Sequence, residues 1–176
     1  THFALADAAA GAEWPDPLPF PVHVVQAVHN EDGLGSTYSR SFAYHDGYYD
    51  GADKEFRGFA RVEVTEHGDA SAPTLITRHT FDTGRVLEVM KGKLLHQSAE
   101  TETGEVFWQE TTEYTVKELF QEPNGKSISS IWSIPSIKTT SPRTVRFAHP
   151  ARTLREILER GEGTPQHLET AFTYDI

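Results

Sequence analysis

The run from Tyr44 to Phe59 constrains the fold more than any other part of the sequence. It lies between segments 36–44 and 56–66, in which side chains alternate in character as they do along β-strands. It also contains two Asp-Gly dipeptides, which readily enter tight turns. The run therefore predicts a β-hairpin with a long, aromatic-filled connection. Its rings are expected to fold back onto the sheet, because exposing several aromatic side chains to water is unfavourable.

Short alternating segments separated by turn residues continue along the rest of the chain. Hairpin turns are predicted at 102–105 and, from Pro-Asn-Gly-Lys, at 123–126. Gly58, inside a strand pattern, predicts a bulge or a close backbone approach. Simple alternation places Phe56 and Phe59 on opposite faces of that strand. The further predicted strands are 20–28, 36–44, 74–81, 86–97, 106–119, 127–137 and 144–149.

The segments at the two ends of the chain carry weaker signals. Residues 1–21 form a lead-in whose prolines favour an extended path, with Trp14 expected to pack on a neighbouring sheet. Near the C-terminus, Leu154, Ile157 and Leu158 have helical spacing, so a short helix within 151–160 is one interpretation. The interpretation we favour is a hairpin, with strands at 152–159 and 167–174.

This pattern predicts an all-β fold of antiparallel sheets, with no helix before residue 150. Strand spacing suits a sandwich or a strongly curled, shell-like sheet. We expect residues 1–176 to form a single β-rich domain. Because the chain starts at Thr1 and stops within a strand-like pattern at Ile176, we expect it to be a piece of a longer protein.

Composition limits the classes of partner. The formal net charge is -10 and the pI is about 5.3, which argues against nucleic acid because phosphate binding needs clustered lysine and arginine. The same charge disfavours an anionic membrane surface, and no run has the roughly 20 apolar residues of a membrane helix. The chain has no cysteine, so disulfide and thiolate chemistry are excluded.

No catalytic or cofactor-binding motif is present, so we expect a protein that is not an enzyme and needs no cofactor. Three carboxylates in the central run, those of Asp46, Asp50 and Asp53, could bind Ca²⁺ through oxygen ligands, although their spacing is not that of an EF-hand. Arg57 is expected to stack on Tyr48 or Tyr49 and to pair with Asp46 or Asp50.

The aromatic residues support a second interpretation. Trp108, Trp132, Tyr48 and Tyr49 could form a sugar-binding platform, as in carbohydrate-binding β-sandwich modules, or serve another binding domain. We favour a core role for them, because they fall on the apolar faces of their predicted strands.

The central run resembles the middle region of the Tc insecticidal toxin B component, a family of large secreted bacterial proteins with Rhs-type repeats. The residues that carry the resemblance are Tyr44, His45, Gly47, Tyr48, Tyr49, Asp50, Gly51, Glu55, Phe56, Arg57, Gly58 and Phe59. Segments 18–25, 77–84, 91–97 and 113–116 are similar to further parts of the family, in the same order. The chain is shorter than family members between Val86 and Lys91.

This resemblance implies a structural role. It implies a secreted or cell-surface bacterial protein whose sheet helps to build the β-shell that encloses a toxic payload. The implied partners are the rest of the parent chain, with its propeller and Rhs-repeat regions, and other subunits of the toxin complex. Nucleic acid and membrane insertion are not implied.

Overall fold

The computed structural model describes residues 2–69, 72–121, 144–158 and 164–175. Eight strands form one antiparallel sheet in which spatial order equals sequence order, so each strand pairs with the next along the chain. The strands are β1 Ala27–Glu31, β2 Thr37–Asp50, β3 Glu55–His67, β4 Leu75–Asp82, β5 Lys93–Thr101, β6 Val106–Gln121, β7 Thr144–Ile157 and β8 Gln166–Ala171.

The all-β antiparallel prediction is confirmed. The sequence left two arrangements open, a sandwich of two sheets and one strongly curled sheet. The described residues form one open sheet that is not closed into a barrel, and among them no second sheet packs on it to make a sandwich. Short connections explain this order, because antiparallel neighbours can be joined by tight turns. The predicted turn at 102–105 joins β5 to β6, whereas the predicted turn at 123–126 and strand at 127–137 lie outside the described residues.

A short helix lies where the sequence predicts none. Helix α1 spans His2–Ala9, so the expectation of no helix before residue 150 is wrong. Alanine, the best helix former, recurs through α1 and explains it. Conversely, residues 151–157 belong to β7, which confirms the hairpin with β8 over the helix, because pairing on both sides outweighs the helical spacing. Within the described residues, no helix has the length and apolar character needed to cross a bilayer.

Three other boundaries differ from the predictions. The strands expected separately at 144–149 and 152–159 form one strand, β7. The strand expected at 20–28 begins only at Ala27, because residues 21–26 are not paired as a strand. The strand expected at 86–97 is split: a 3₁₀ turn occupies Glu88–Met90 and β5 starts at Lys93.

The strand register gives the sheet two distinct faces. Directly paired residues on neighbouring strands have their side chains on the same face of the sheet. A row of such residues can therefore be followed from strand to strand, as long as it does not cross a bulge. We name the more polar side the polar face; one of its rows is His45, Arg61, Thr80, His96, Thr111, Leu154 and Glu169. The opposite side is the apolar face, with a row of Phe42, Val64, Thr77, Ala99, Trp108 and Ile157.

Little of this sheet is buried. Among the described residues, the buried hydrophobic side chains are Trp14, Ala99 and Ala148. Large apolar side chains such as Tyr38, Val145 and Phe147 are exposed. A single-layer sheet can bury side chains only where another segment lies on it, and here the lead-in covers one end.

Candidate functional site

The central run forms the β2–β3 hairpin, but its connection is short. Pairs Tyr49–Phe56 and Asp50–Glu55 extend the ladder, leaving a turn at residues 51–54, so the predicted long connection is wrong. The side-chain Oδ1 of Asp50 accepts hydrogen bonds from the backbone N–H groups of Ala52 (2.8 Å) and Asp53 (3.1 Å). The N–H of Asp53 is the main reason that the pKa of the Asp50 carboxyl is below its ordinary value of 3.8.

A bulge interrupts the hairpin at the predicted glycine. Gly47 pairs with Phe59 and Tyr49 pairs with Phe56, so Arg57 and Gly58 together oppose one residue of β2. Gly58 has φ +92, in the region that favours glycine, which confirms the predicted bulge. Since the extra residue shifts the alternation, Phe56 and Phe59 share a face, and their ring centroids lie 5.3 Å apart. Their predicted placement on opposite faces is therefore wrong.

The bulge directs Arg57 into a set of acceptors. Its side chain is 3% exposed, and its guanidinium lies 3.1 Å from Oδ2 of Asp50 and 2.5 Å from Oδ2 of Asp53. Nη1 also donates to the backbone carbonyl of Gly84, at 2.8 Å. The predicted pairing of Arg57 with Asp50 is thus present, and one cation joins the hairpin turn to the β4–β5 loop.

The β4–β5 loop supplies further cations to this end of the sheet. The guanidinium of Arg85 lies 4.8 Å from the ring centroid of Tyr48 and pairs with Asp16 of the lead-in at 2.5 Å. Nζ of Lys91 lies 2.7 Å from Glu55. The stacking on Tyr48 that the sequence assigns to Arg57 is therefore made by Arg85 instead.

The lead-in packs against the aromatic residues of the hairpin. Trp14 is 7% exposed and meets Phe59 edge-on at 6.0 Å, which confirms its predicted packing on the sheet. Phe20 meets Tyr49 in the same way at 5.1 Å. A Cβ at Gly47 would lie 2.9 Å from the Trp14 ring, so only glycine leaves room for this packing. We name residues 14–20 the docked lead-in.

Helix α1 contacts the hairpin through the carboxylate of Asp7 and through the ring of Phe3, which meets that of Tyr44 edge-on at 5.5 Å. Nε1 of Trp14 donates to Oδ2 of Asp7 at 2.6 Å, and Nδ1 of His45 lies 2.7 Å from the same oxygen. Burial alone raises the pKa of the Asp7 carboxyl, but the hydrogen bonds from Trp14 and His45 outweigh it and hold that pKa below its ordinary value of 3.8. Nε2 of His45 faces Glu63 at 3.9 Å.

The structure brings most motif residues together at this end of the sheet, in three groups. Tyr44, Tyr49, Phe56 and Phe59 form the aromatic cluster with the docked lead-in. Asp50, Asp53, Glu55 and Arg57 form the charged group, with Gly51 in the turn and Gly58 in the bulge. Gly47 contacts the docked lead-in, His45 contacts helix α1, and Tyr48 contacts Arg85.

The candidate calcium ligands are arranged differently. Asp50 and Asp53 are directed at Arg57, and Asp46 has a left-handed backbone with φ 54 on the strand beside them. No group of three acidic or histidine side chains in the described ranges is placed to hold a metal ion.

Several contact residues were not found from the sequence. They are Asp7, Asp16, Gly84, Arg85 and Lys91. Each lies in a helix or loop outside the central run, and no local pattern signals which distant strand a loop residue meets. The Asp-Thr-Gly sequence at 82–84 is typical of a turn. It is the only sequence signal for one of these contacts, because a turn leaves backbone carbonyls such as that of Gly84 free to accept a hydrogen bond.

A family comparison supports the resemblance seen in the sequence. The family model described as insecticide toxin TcdB middle/N-terminal region matches residues 2–87, which include the whole hairpin and the docked lead-in. The resemblance to the Tc toxin B middle region is thereby confirmed. No curated protein matches the chain.

Solved structures share the fold. The chain is similar to a crystal structure of TcdB2-TccC3, with 18% identity and a TM-score of 0.71, over 94% of this chain and 10% of that chain. Similarity to TcdB2-TccC3-Cdc42 covers 93% of this chain and 10% of that chain, with 19% identity and a TM-score of 0.69. The Photorhabdus luminescens Tc holotoxin pore matches with 18% identity and a TM-score of 0.71, over 94% and 10% of the two chains. This chain therefore spans about a tenth of the length of these structures.

Proposed function

We propose, from the premise that residues 2–87 match the middle region of the Tc toxin B component, that the chain is a non-catalytic structural module of such a toxin. Its open sheet contributes wall to the β-shell that encloses a toxic payload. In this proposal residues 1–176 form one β-rich domain of a longer, secreted or cell-surface protein. Its partners are the propeller and Rhs-repeat regions of that protein and other subunits of the toxin complex.

One observation carries this proposal: the described residues form a single-layer, eight-stranded sheet with two open edges and few buried side chains. A sheet of this kind leaves backbone groups unpaired at its edges and apolar side chains uncovered on its faces. Both needs are met when the sheet continues into a larger wall. The share of the solved chains that it spans, 10%, is in keeping with a segment of such a wall.

Within this module the central run has a structural role. The guanidinium of Arg57 joins two connections, and the docked lead-in covers the aromatic cluster, so one end of the sheet is held rigid. A buried guanidinium that is bound by several acceptors stays charged and is held in one orientation, which suits a structural role.

The carbohydrate-binding interpretation is not favoured. A sugar platform needs aromatic ring faces that are open to solvent. The ring of Tyr48 lies under Arg85, that of Trp108 lies under Arg155 at 4.6 Å, and Tyr49 packs against Phe20. The fourth candidate, Trp132, lies outside the described residues.

The wall proposal predicts that the two faces of the sheet differ in accessibility within the parent toxin. Thr111 and Thr112 are neighbours on the central strand β6, and their side chains point to opposite faces. Because this segment has no cysteine, Thr111→Cys and Thr112→Cys introduce one thiol each into it. Both variants are made in the isolated chain and in the intact parent protein, with any cysteine elsewhere in the parent replaced.

A bulky maleimide reagent then reports which face is reachable. In the isolated chain both thiols should react, the half-buried Thr112→Cys more slowly. In the intact parent, one of the two should lose reactivity by at least tenfold, because one side of a wall faces an enclosed space. Equal reactivity of the two thiols in the parent would contradict the wall role. Unfolding the parent with urea should restore both reactions.

A further inference from the structure

His45 lies where helix α1, the docked lead-in and strand β3 meet. Its side chain is 13% exposed, and its Nδ1 lies 2.7 Å from Oδ2 of Asp7 on α1. The same oxygen accepts a hydrogen bond from the indole Nε1–H of Trp14. On the other side of the ring, Nε2 faces Oε1 of Glu63 at 3.9 Å. The imidazole therefore lies between two carboxylates that belong to different elements.

The contact with Asp7 determines which nitrogen of the neutral ring carries the proton. Although burial acts to raise it, hydrogen bonds from Trp14 and His45 hold the pKa of the Asp7 carboxyl below 3.8. This carboxylate is therefore ionised in the range where imidazoles change charge. An ionised carboxylate only accepts hydrogen bonds, so Nδ1 of His45 donates to it. In the neutral ring, the lone pair is then on Nε2.

Nε2 of His45 is the atom that protonation changes. It is buried and has no hydrogen-bond partner among the described residues, which is unfavourable for a polar atom. In the neutral ring its lone pair faces the carboxylate of Glu63, so two acceptors lie opposite each other. In the charged ring an N–H donor faces that carboxylate, and a small rotation of the Glu63 side chain brings the two within hydrogen-bonding distance.

The other charged groups around the ring also favour its charged form. Arg61 of β3 pairs directly with this histidine in the register, and its Nε lies 3.8 Å from Oε1 of Glu63. Arg78 of β4 pairs with Glu63 at 3.2 Å and also with Glu100 of β5. With Asp7, the group contains three carboxylates and two guanidinium groups, so protonation of the ring makes it neutral. Within the described ranges no three acidic or histidine side chains are placed to hold a metal ion, so these side chains form ion pairs and not a metal site.

Other histidines of the sheet lack this arrangement. Three of them each contact a hydroxyl group, which can donate or accept a hydrogen bond and so fits either protonation state of the ring. They are His29 with Ser39, His67 with Ser41 and His96 with Thr111. Carboxylates only accept, so the surroundings of His45 distinguish between its two states.

We propose that His45 is a pH-dependent latch, whose protonation links Asp7 of α1 to Glu63 of β3 and holds α1 and the docked lead-in on the sheet. Between about pH 5 and pH 8, where an imidazole ordinarily changes charge, docking should become tighter as the pH falls. Loss of the proton leaves the hydrogen bond from Nδ1 to Asp7 but removes the attraction of a cation to both carboxylates. The lead-in then opens more often, which uncovers the ring of Phe59 under Trp14.

Hydrogen exchange of the Trp14 indole N–H tests this proposal in the 176-residue chain. This proton is bound to Asp7, so its exchange reports the opening of the docked lead-in. Nuclear magnetic resonance measures the exchange, and division by the rate of free indole at each pH removes the intrinsic pH dependence. Protection should be at least fivefold greater at about pH 5.5 than at about pH 8. The ring signals of His45, recorded in the same samples, should change over the same range.

Three variants locate the effect. His45→Asn keeps a donor beside Asp7 but cannot be protonated, so its protection should differ less than twofold between the two pH values. Glu63→Gln removes the second carboxylate, and the gain should fall to less than half of that in the natural sequence. His67→Asn is the matched control, because His67 is a histidine of β3 that contacts a hydroxyl; it should keep the full gain. Circular dichroism should show that the variants are folded.

Equal protection at the two pH values in the natural sequence would overturn the proposal, and so would a gain that persists in His45→Asn. A full gain in Glu63→Gln would remove the role of the second carboxylate and overturn it as well. If His45→Asn does not fold, the comparison of Glu63→Gln with His67→Asn decides alone. All measurements lie above the pH range in which Asp7 titrates, and none bears on the accessibility of the two faces in the parent toxin.

Discussion

At the scale of single residues, Arg57 is a buried cation whose contacts fix its position. Its side chain is 3% exposed and meets the carboxylates of Asp50, Asp53 and Glu55 and one backbone carbonyl. A planar guanidinium can reach acceptors in several directions at once, whereas an ammonium on a flexible stem cannot. Pairing and hydrogen bonding together compensate for the desolvation of the charge.

We expect Arg57→Lys to destabilise the isolated chain by about 2 kcal/mol, because the bond to the Gly84 carbonyl is lost while a buried charge remains. For a chain of this size that corresponds to a fall of roughly 4–8 °C in Tm. Arg40→Lys is the control, because Arg40 pairs with Glu66 on an exposed surface with 59% of its side chain accessible. An equal fall in Tm for both variants would contradict the clamp role of Arg57.

Gly47 is a second residue whose identity is set by its contacts. We expect Gly47→Ala to displace Trp14, because the added methyl would lie 2.9 Å from the indole and 3.0 Å from Leu18. Overpacking of this kind costs about 1–3 kcal/mol. Acrylamide quenching of tryptophan fluorescence should increase. Gly51→Ala is the control, since a Cβ there meets nothing within 4 Å; similar quenching in the two variants would disagree with the packing described.

At the scale of elements, the ionised carboxylate of Asp7 is one of the contacts that attach α1, beside the ring contact of Phe3 with Tyr44. The pKa of Asp7 is lowered in the folded state, so the carboxylate stabilises docking above pH 3.8, and this contribution is lost as the pH falls through the lower folded-state value. Trp14 and His45 both contact the same carboxylate oxygen. Protonation therefore removes two contacts together.

We expect Asp7→Asn to weaken α1 docking at pH 7 by about 1–2 kcal/mol and to remove the acid transition of Trp14. The measurement is tryptophan emission between pH 7 and pH 2, with the same titration of Trp14→Phe subtracted. Asp16→Asn, which removes the exposed partner of Arg85, should keep the transition. An acid transition that survives in Asp7→Asn would assign it to another group.

The element scale also shows where local sequence patterns suffice. Glycine within a strand pattern predicted the bulge at Gly58, and Asp-Gly predicted a turn after Asp50, because both depend on backbone preferences of one or two residues. The length of that connection was not predictable. Residues 48–50 and 55–57 combine aromatic side chains typical of strands with aspartate and glycine neighbours typical of turns. Their pairing across the hairpin makes them part of β2 and β3 rather than of the turn.

At the scale of the whole molecule, stability should decrease from the centre of the sheet to its edges. Central strands pair on both sides, whereas β1 and β8 pair on one side only in the described structure. Local opening free energy follows such differences in pairing and burial.

We expect hydrogen exchange of the monomeric chain at low concentration to follow this order. The N–H of Phe42 donates to the carbonyl of Gln26, and the N–H of Phe172 donates to the carbonyl of Ala151. Because backbone groups alternate in direction along a strand, the amides of His29 and Glu169 point away from the sheet and should exchange fast in the isolated chain, whereas the amide of Leu168 points toward β7 and should exchange more slowly. Amides in β4 and β5 should be slowest. Nuclear magnetic resonance can follow these amides one by one. Uniform protection of outward and inward amides at the edges would contradict this alternation.

The sequence by itself determined the all-β strand and turn pattern, because alternation and turn chemistry act over a few residues. It narrowed Gly58 to a bulge or a close backbone approach, and the partner of Arg57 to Asp46 or Asp50. Only the tertiary structure decided that Arg85 covers Tyr48, that Asp7 fixes α1 and that the strands form one open layer. These contacts join residues far apart in sequence, and strand register sets them. Register is a property of the assembled sheet, in which each strand is positioned by its neighbours.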